Sequence, residues 1–302
     1  MTSRRQKLWN AYARLVGKTV LGYLRPYWLM RRVLKTAGQL GARRPAGLVT
    51  TDRGHHLLHL ATPAMRDPQG TLFYIHGGGF VAGDIPTYRR LAVELAERAG
   101  LACTMADYRL APEHPYPVPL DDVEEAYAAL SADPAAGPIV VAGDSAGGQL
   151  LFALLLRIRA RGLPPPVACA ALSPATDLRG GNPSLTGNRR SEVLLPPRLV
   201  RGGVAAYLGD TDPAQPELSP ILGDFTGTCP VMIHVDRGEM LYDDSRLMAD
   251  HLRAQGVEVA LTEEEGLCHV WHINAGLTPE ADASVSQIAA FFKTHVQAAK
   301  TR

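Results

Sequence analysis

Residues 143 to 147 read Gly143-Asp144-Ser145-Ala146-Gly147, set between an apolar run, Ile139 to Ala142, and a long helical stretch from Gln149. A turn from strand to helix this tight admits only small residues on either side, and its strain lifts the serine hydroxyl clear of the sheet. Two fixed glycines in five residues recur by chance in a chain holding 29 glycines, so a bland glycine turn is the competing reading. The flanking strand and helix, which a nucleophile elbow physically requires, decide between the two.

The remaining chain supplies strands alternating with helices. Strands are predicted at His55 to Leu60, Thr71 to Ile75, Ala102 to Asp107, Ile139 to Ala142, Val167 to Leu172, Val231 to Val235 and Val257 to Leu261. Helical apolar spacing covers Thr87 to Ala99, Pro119 to Leu130, Gln149 to Arg161, Asp243 to Gln255 and Pro279 to Ala298. Pro86, Pro119 and Pro279 lie near helix starts, where proline is tolerated, and Gly100, Gly162 and Gly256 mark helix ends. The pattern is that of a doubly wound α/β domain. It breaks between Gly180 and Gly223, a stretch rich in Gly, Pro and Arg around one helical piece, Pro197 to Leu208, which reads as an insertion over the active face.

A chain of 302 residues accommodates one large domain, or one domain with a smaller subdomain. No segment offers the apolar length of a membrane span, since Leu15 to Met30 is interrupted by Lys18, Arg25 and Pro26. The N-terminus lacks the pattern of a signal peptide, and the expectation is a cytoplasmic protein. Cys103, Cys169, Cys229 and Cys268 are scattered among apolar runs without a C-x-x-C pair, which suggests reduced thiols. The net charge of +1 conceals an asymmetry. Arg4, Arg5, Lys7, Arg14, Lys18, Arg25, Arg31, Arg32, Lys35, Arg43 and Arg44 fall in the first fifty residues, with no Asp or Glu among them. Trp9, Tyr12, Val16, Val20 and Tyr23 recur there at helical spacing, so an amphipathic helix broken near Pro26 is predicted. Its aromatic face is expected to cover the body of the same protein; the competing reading is peripheral contact with an anionic membrane.

A second chemical feature, His76-Gly77-Gly78-Gly79-Phe80, directly follows the strand Thr71 to Ile75. Bare backbone amides there suit an oxyanion hole for acyl transfer, each donor contributing about 2.7 to 4 kcal/mol, and Ala146 after the serine adds its own. The spacing of a dinucleotide loop and the lysine of a P-loop are both missing. With the order serine, acid, histidine, His269 in the loop Gly266 to His272 is the candidate base and His272 its rival. The acid falls in Asp236 to Asp244. Asp236 ends the strand, Asp243 and Asp244 suit a helix N-terminus, and Glu239 has the reach to hold a histidine Nδ1 proton. Glu239 is assigned, with Asp236 and Asp243 as competitors.

These residues, together with Asp107-Tyr108-Arg109-Leu110-Ala111-Pro112-Glu113-His114-Pro115-Tyr116-Pro117 and Gly148, resemble the hormone-sensitive lipase family of α/β-hydrolases, the bacterial family IV esterases. The resemblance extends from about residue 50 to 295. It implies an α/β-hydrolase fold, a mostly parallel central sheet flanked by helices with a helical cap. The cap would comprise residues 1–45 and an insertion at about 180–223 of the catalytic domain 46–302. It also implies Ser145 as nucleophile, His269 as general base, Glu239 as acid, and the amides of Gly77, Gly78, Gly79 and Ala146 as oxyanion hole. The family more often carries Asp-Pro-Leu where this chain has Glu239-Met240-Leu241; a glutamate there is similar to a bacterial subset of short-chain carboxylesterases, acetyl-ester hydrolases and terpene lactone hydrolases.

The expected activity is hydrolysis of small-molecule esters with short to medium acyl chains through an acyl-enzyme. No metal or organic cofactor and no nucleic acid are expected, and homodimers are common in the family. A dedicated deacetylase or lactone hydrolase, a membrane-surface lipase and a non-catalytic receptor are the alternatives. Tyr12, Trp28, Leu194, Leu195 and Tyr207 are cap candidates for lining the pocket, with core packing as the other role for each, and Asp107 is expected to pair with Arg109 in a turn that braces the oxyanion loop.

Overall fold

The computed structural model describes residues 2–41 and 45–301. Arg43 and Arg44 of the basic run, and the side chain of Val16, lie outside the described residues. The chain opens with α1 (Arg4–Tyr12), a π-helical turn at Ala13–Gly17, α2 (Lys18–Tyr23) and α3 (Tyr27–Gly41). Between α2 and α3, Leu24 turns to an extended conformation ahead of Pro26, whose ring clashes with a continuing helix.

Among the described residues, eight strands then form one sheet: β1 (Val49–Asp52), β2 (Leu57–Ala61), β3 (Thr71–Ile75), β4 (Ala102–Ala106), β5 (Ile139–Asp144), β6 (Ala168–Leu172), β7 (Val231–Asp236) and β8 (Val259–Glu264). The spatial order is β1-β2-β4-β3-β5-β6-β7-β8, antiparallel in the first two pairings and parallel from β4 to β8. The helices that follow are α4 (Ile85–Ala99), α5 (Val118–Ser131), α6 (Ala146–Arg161), α7 (Ser184–Gly187), α8 (Pro197–Leu208), α9 (Tyr242–Ala254) and α10 (Pro279–Lys300). Among the described residues no helix is long and apolar enough to cross a membrane.

Side chains alternate across the sheet because the strand period is two. Leu72, Tyr74, Val140, Ala142 and Ala170 face a core completed by α4 and α10, through Leu91, Leu95, Ile288 and Phe292. Phe73, Ile75, Val141, Cys169 and Ala171 face the opposite core, completed by α5, α6 and α9. Strands buried on both faces read as unbroken apolar runs, and β3 and β5 to β7 were therefore visible in the sequence. β1 was not expected, being a fully exposed edge strand without an apolar face. The predicted start of β2 also shifts, since His55 and His56 take φ of 52° and 56° in the turn that joins β1 to β2.

The N-terminal helices are fixed to the body at their inner side. Ser3 caps α1 and bonds Glu280, Asn10 donates to the Gly266 carbonyl at 2.8 Å, and Lys18 donates to the carbonyls of Arg189 and Glu192. Trp9 packs half-buried against a small cluster holding Ala13, Val193, Leu267, Cys268 and Trp271. The aromatic face does not cover the body as a whole, because Tyr12, Tyr23 and Trp28 are exposed. Tyr12 and Trp28 are consequently neither core nor pocket lining, whereas Leu195 and Tyr207 are buried and Leu194 is partly buried against the same small cluster as Trp9. The Asp107–Arg109 pairing is also corrected: Arg109 grips Asp122 of α5 in a forked contact of 2.6 and 2.9 Å, and its backbone N–H donates to the same carboxylate.

The carboxyl ends of β3 and β5 mark the point where strand order reverses, the place where open α/β sheets leave a crevice. A Cβ on Gly147 at the start of α6 would stand 2.1 Å from the Ile75 carbonyl oxygen of β3, so the helix can cross the sheet there only without a side chain. Gly147→Ala is expected to lower unfolding free energy by about 1–3 kcal/mol or more, read by urea denaturation; an unchanged midpoint would mean that this close approach is not required.

Candidate active site

Ser145 is the single residue between β5 and α6. It sits at φ 52° and ψ −116°, a conformation sparsely adopted by residues with a side chain. Its N–H donates to the Leu172 carbonyl at 2.8 Å, and its own carbonyl accepts the amides of Gln149 and Ala175, each at 3.2 Å. These bonds, with the glycines around it, hold the hydroxyl at the N-terminal end of α6, where helix dipoles favour negative charge.

His269 reaches the serine from the loop after β8. Its Nε2 lies 2.9 Å from Ser145 Oγ, and its Nδ1 lies 2.6 Å from Glu239 Oε2. The second Glu239 oxygen accepts the Ser173 hydroxyl at 2.8 Å and the Asp236 N–H at 3.0 Å. Serine, imidazole and carboxylate thus form one buried chain. Asp236 turns elsewhere, accepting the amides of Gly238 and Leu267 and so fixing the His269 loop; burial pushes its carboxyl up to about 7. Asp243 accepts the Ser184 amide, and Asp244 accepts those of Thr176 and Asp177. His272, the rival base, is buried against His234 at 3.1 Å, and burial holds its imidazole well below the ordinary value.

The imidazole of His269 feels opposing forces. Burial disfavours its charged form, but the Glu239 charge and hydrogen bond, with smaller contributions from Glu192 and Asp144, leave it raised above the ordinary value. Glu192 was not anticipated. This buried carboxylate accepts the amides of Leu194 and Leu195 on one oxygen and that of Met240 on the other, which pins the residue after Glu239. Asn188 adds bonds to the carbonyls of Arg237 and Glu239. Ser173 was also missed, although its place at the carboxyl end of β6 is where functional groups of such sheets gather. Glu192 carried no such signal, lying in irregular chain among arginines.

The glycine run after β3 is held by a buried aspartate. Asp144 accepts the Tyr74 hydroxyl at 2.8 Å and the Gly77 N–H at 2.9 Å, and burial raises its carboxyl to about 7. The Gly77 amide, expected among the oxyanion donors, is thus bonded to Asp144. Gly78 and Gly79 follow at φ 122° and 62°, a backbone path that side chains disfavour. The Asp107 to Pro117 tract braces the loop through Tyr108, whose hydroxyl donates to the His76 carbonyl at 2.6 Å, and Ala111, whose N–H donates to the Phe80 carbonyl. From above, α8 lies on the loop. A Cβ on Gly203 would meet the Gly79 carbonyl at 2.3 Å, and Phe80 stacks on Tyr207 at 4.0 Å.

Comparison with known proteins gives a consistent set of likenesses. A family profile described as alpha/beta hydrolase fold matches residues 72–273. The chain is 35% identical to an acetyl-hydrolase of Streptomyces hygroscopicus over 87% of each chain, and 33% identical to an esterase of Acinetobacter venetianus over 73% of each. Among solved structures, it is similar to an esterase from the bacterial hormone-sensitive lipase family, with a TM-score of 0.89 at 30% identity over 98% of this chain and 99% of that one.

A histidine whose folded pKa is raised stabilises the fold fully below its unfolded pKa and loses that contribution as pH rises through the folded value. NMR titration of the His269 ring is therefore expected to give a midpoint above 6.5, falling in Glu239→Gln. A midpoint at or below 6.5 in the unaltered protein would contradict the electrostatic account.

Proposed function

The chain belongs to the hormone-sensitive lipase-like family of α/β-hydrolase-fold carboxylesterases, and from that premise we propose that it cleaves short- to medium-chain acyl esters at Ser145 through an acyl-enzyme. The observation that carries this reading is the continuous hydrogen-bonded chain from Ser145 Oγ through His269 to Glu239.

In the first half-reaction His269 Nε2 takes the Ser145 proton as Oγ attacks the ester carbonyl carbon. The carbonyl oxygen becomes an oxyanion, met by the amides of Gly78, Gly79 and Ala146, each donor contributing about 2.7–4 kcal/mol. His269 then protonates the departing alkoxide, leaving the acyl group on Oγ. Water repeats the sequence, giving its proton to His269, forming the new C–O bond and releasing the carboxylic acid as Ser145 recovers its proton. Glu239 keeps the Nδ1 proton in place and stabilises the imidazolium without being protonated itself.

An apolar cavity of about 310 Å³ opens beside the elbow, and it suits a small acyl group. Ala175, whose amide bonds the Ser145 carbonyl, and Met240, next to Glu239, line it together with Val200 and Val204 of α8. A larger cleft of about 770 Å³ lies behind the His269 loop, between Lys7, Arg14, Asp236 and Gly266, and neither Ser145 nor His269 lines it. Ser145 and His269 line neither cavity, and the smaller one is the candidate acyl site because its wall includes Ala175, bonded to Ser145, and Met240, next to Glu239. Helices α1 to α3 with residues 180–223 form a cap over it, a reading supported by Gly17 and Gly22 resting on Leu194 and Pro196 and by α8 resting on Gly79.

Initial rates on a p-nitrophenyl ester series from acetyl to dodecanoyl test the proposal. The short esters should be cleaved fastest. Ser145→Ala and His269→Ala should abolish turnover, and Glu239→Gln should lower kcat by about 10³–10⁴-fold. Full activity in Ser145→Ala would overturn the mechanism, and a larger loss in Asp243→Asn than in Glu239→Gln would move the acid.

A further inference from the structure

The exposed large apolar side chains are concentrated at the N-terminus. Leu8, Tyr12 and Leu15 are 73%, 54% and 75% exposed, and Tyr23 and Trp28 are 68% and 58% exposed. Positions 8, 12, 15 and 23 follow one helical stripe, at i, i+4, i+7 and i+15, on the side opposite Gln6, Ala13 and Gly22, which are buried against the body. Trp28, beyond the break at Pro26, is a further exposed aromatic side chain, with Arg32 and Lys35 at i+4 and i+7 from it. Cations flank the apolar positions throughout. Arg4, Arg5, Lys7, Arg32 and Lys35 form no ion pair among the described residues, and no acidic residue occurs in the first fifty positions. Arg198 of α8 lies over the Tyr23 ring at 4.7 Å, adding a cation to the same surface.

From these observations we propose that the outer face of α1 to α3 docks on an anionic lipid surface. The occupant is chosen by shape and charge. Leu15 stands at the rim of the cleft behind the His269 loop, while Leu8, Tyr12, Tyr23 and Trp28 protrude from their helices outside it; this suits a fluid interface that closes around each of them, whereas a folded partner would need a matching pocket for each. A second copy of the chain on this face would set cation against cation with no carboxylate to separate them. Anionic headgroups complement the unpaired Arg and Lys, while aromatic and leucine side chains enter the headgroup boundary. The inner side of the same helices rests on Leu194 and Pro196, which lead directly into α8 over the oxyanion loop. Docking would thus place the cover of Ser145 against the lipid, where esters of low water solubility are concentrated. The docking face shares no residue with the Ser145–His269–Glu239 chain, and the inference goes beyond the proposed esterase reading.

Co-sedimentation of the full chain with vesicles tests it, independently of any esterase activity. Phosphatidylcholine containing about one third phosphatidylglycerol is compared with phosphatidylcholine alone, at low salt and at about 0.5 M sodium chloride. The protein should sediment with the anionic vesicles only, and salt should release it. The triple variant Leu8→Ser/Leu15→Ser/Trp28→Ser should bind about tenfold more weakly, with its thermal midpoint and its hydrolysis of a water-soluble acetyl ester unchanged. Absence of sedimentation, equal sedimentation with both vesicle types, or undiminished binding by the triple variant would overturn the proposal. So would a dimer that the triple variant dissociates without any vesicle binding, since the face would then belong to a second copy.

Discussion

A serine at φ 52° and ψ −116° keeps its place only because its neighbours leave it no alternative. β5 is buried on both faces before it, α6 is buried along most of its length after it, and its amide and carbonyl are bonded to β6 and to the segment that follows. The same crowding lets the start of α6 pass within contact of the β3 backbone, which brings the glycine loop after β3 beside the serine hydroxyl. The reacting geometry is therefore a consequence of how the parallel strands and one helix pack, and the loops complete it.

Around that point the structure maintains several buried carboxylates, each of which would be unfavourable without donors. Glu239 is satisfied by His269, Ser173 and the Asp236 amide; Glu192 by three backbone amides; Asp236 by two; and Asp144 by Tyr74 and Gly77. Each of these groups orients a different loop, and Glu239, Glu192 and Asp144 also bias the His269 imidazole towards its charged form, the form that the proposed mechanism uses to protonate the leaving alcohol. Positioning and electrostatics are supplied by the same side chains.

Much of this was legible in the sequence, for physical reasons. Strands buried on both faces announce themselves as apolar runs, and an elbow between strand and helix has few alternative sequences, so β3, β5, α6 and Ser145 were readable from pattern. Chain order then led to His269 and Glu239, which the structure brings together. What stayed hidden depends on tertiary contact. Glu192 sits in irregular chain, and nothing local distinguishes it from a solvated glutamate. The Gly77 amide looked equivalent to those of its neighbours until Asp144 was placed against it. Arg109 chose a partner on α5 over one two residues away. Periodicity showed that the N-terminal helices have an aromatic stripe, yet it could not show that Trp9 faces inward while Tyr12, Tyr23 and Trp28 face water.

The central claim is that packing and the Glu239–His269 pair make Ser145 nucleophilic. Reaction with a fluorophosphonate, followed by mass spectrometry of the labelled peptide, tests it without choosing a substrate. The account predicts a single adduct on Ser145, formed far more slowly in His269→Ala and Glu239→Gln. Labelling at another residue, or at an undiminished rate in those two variants, would contradict it.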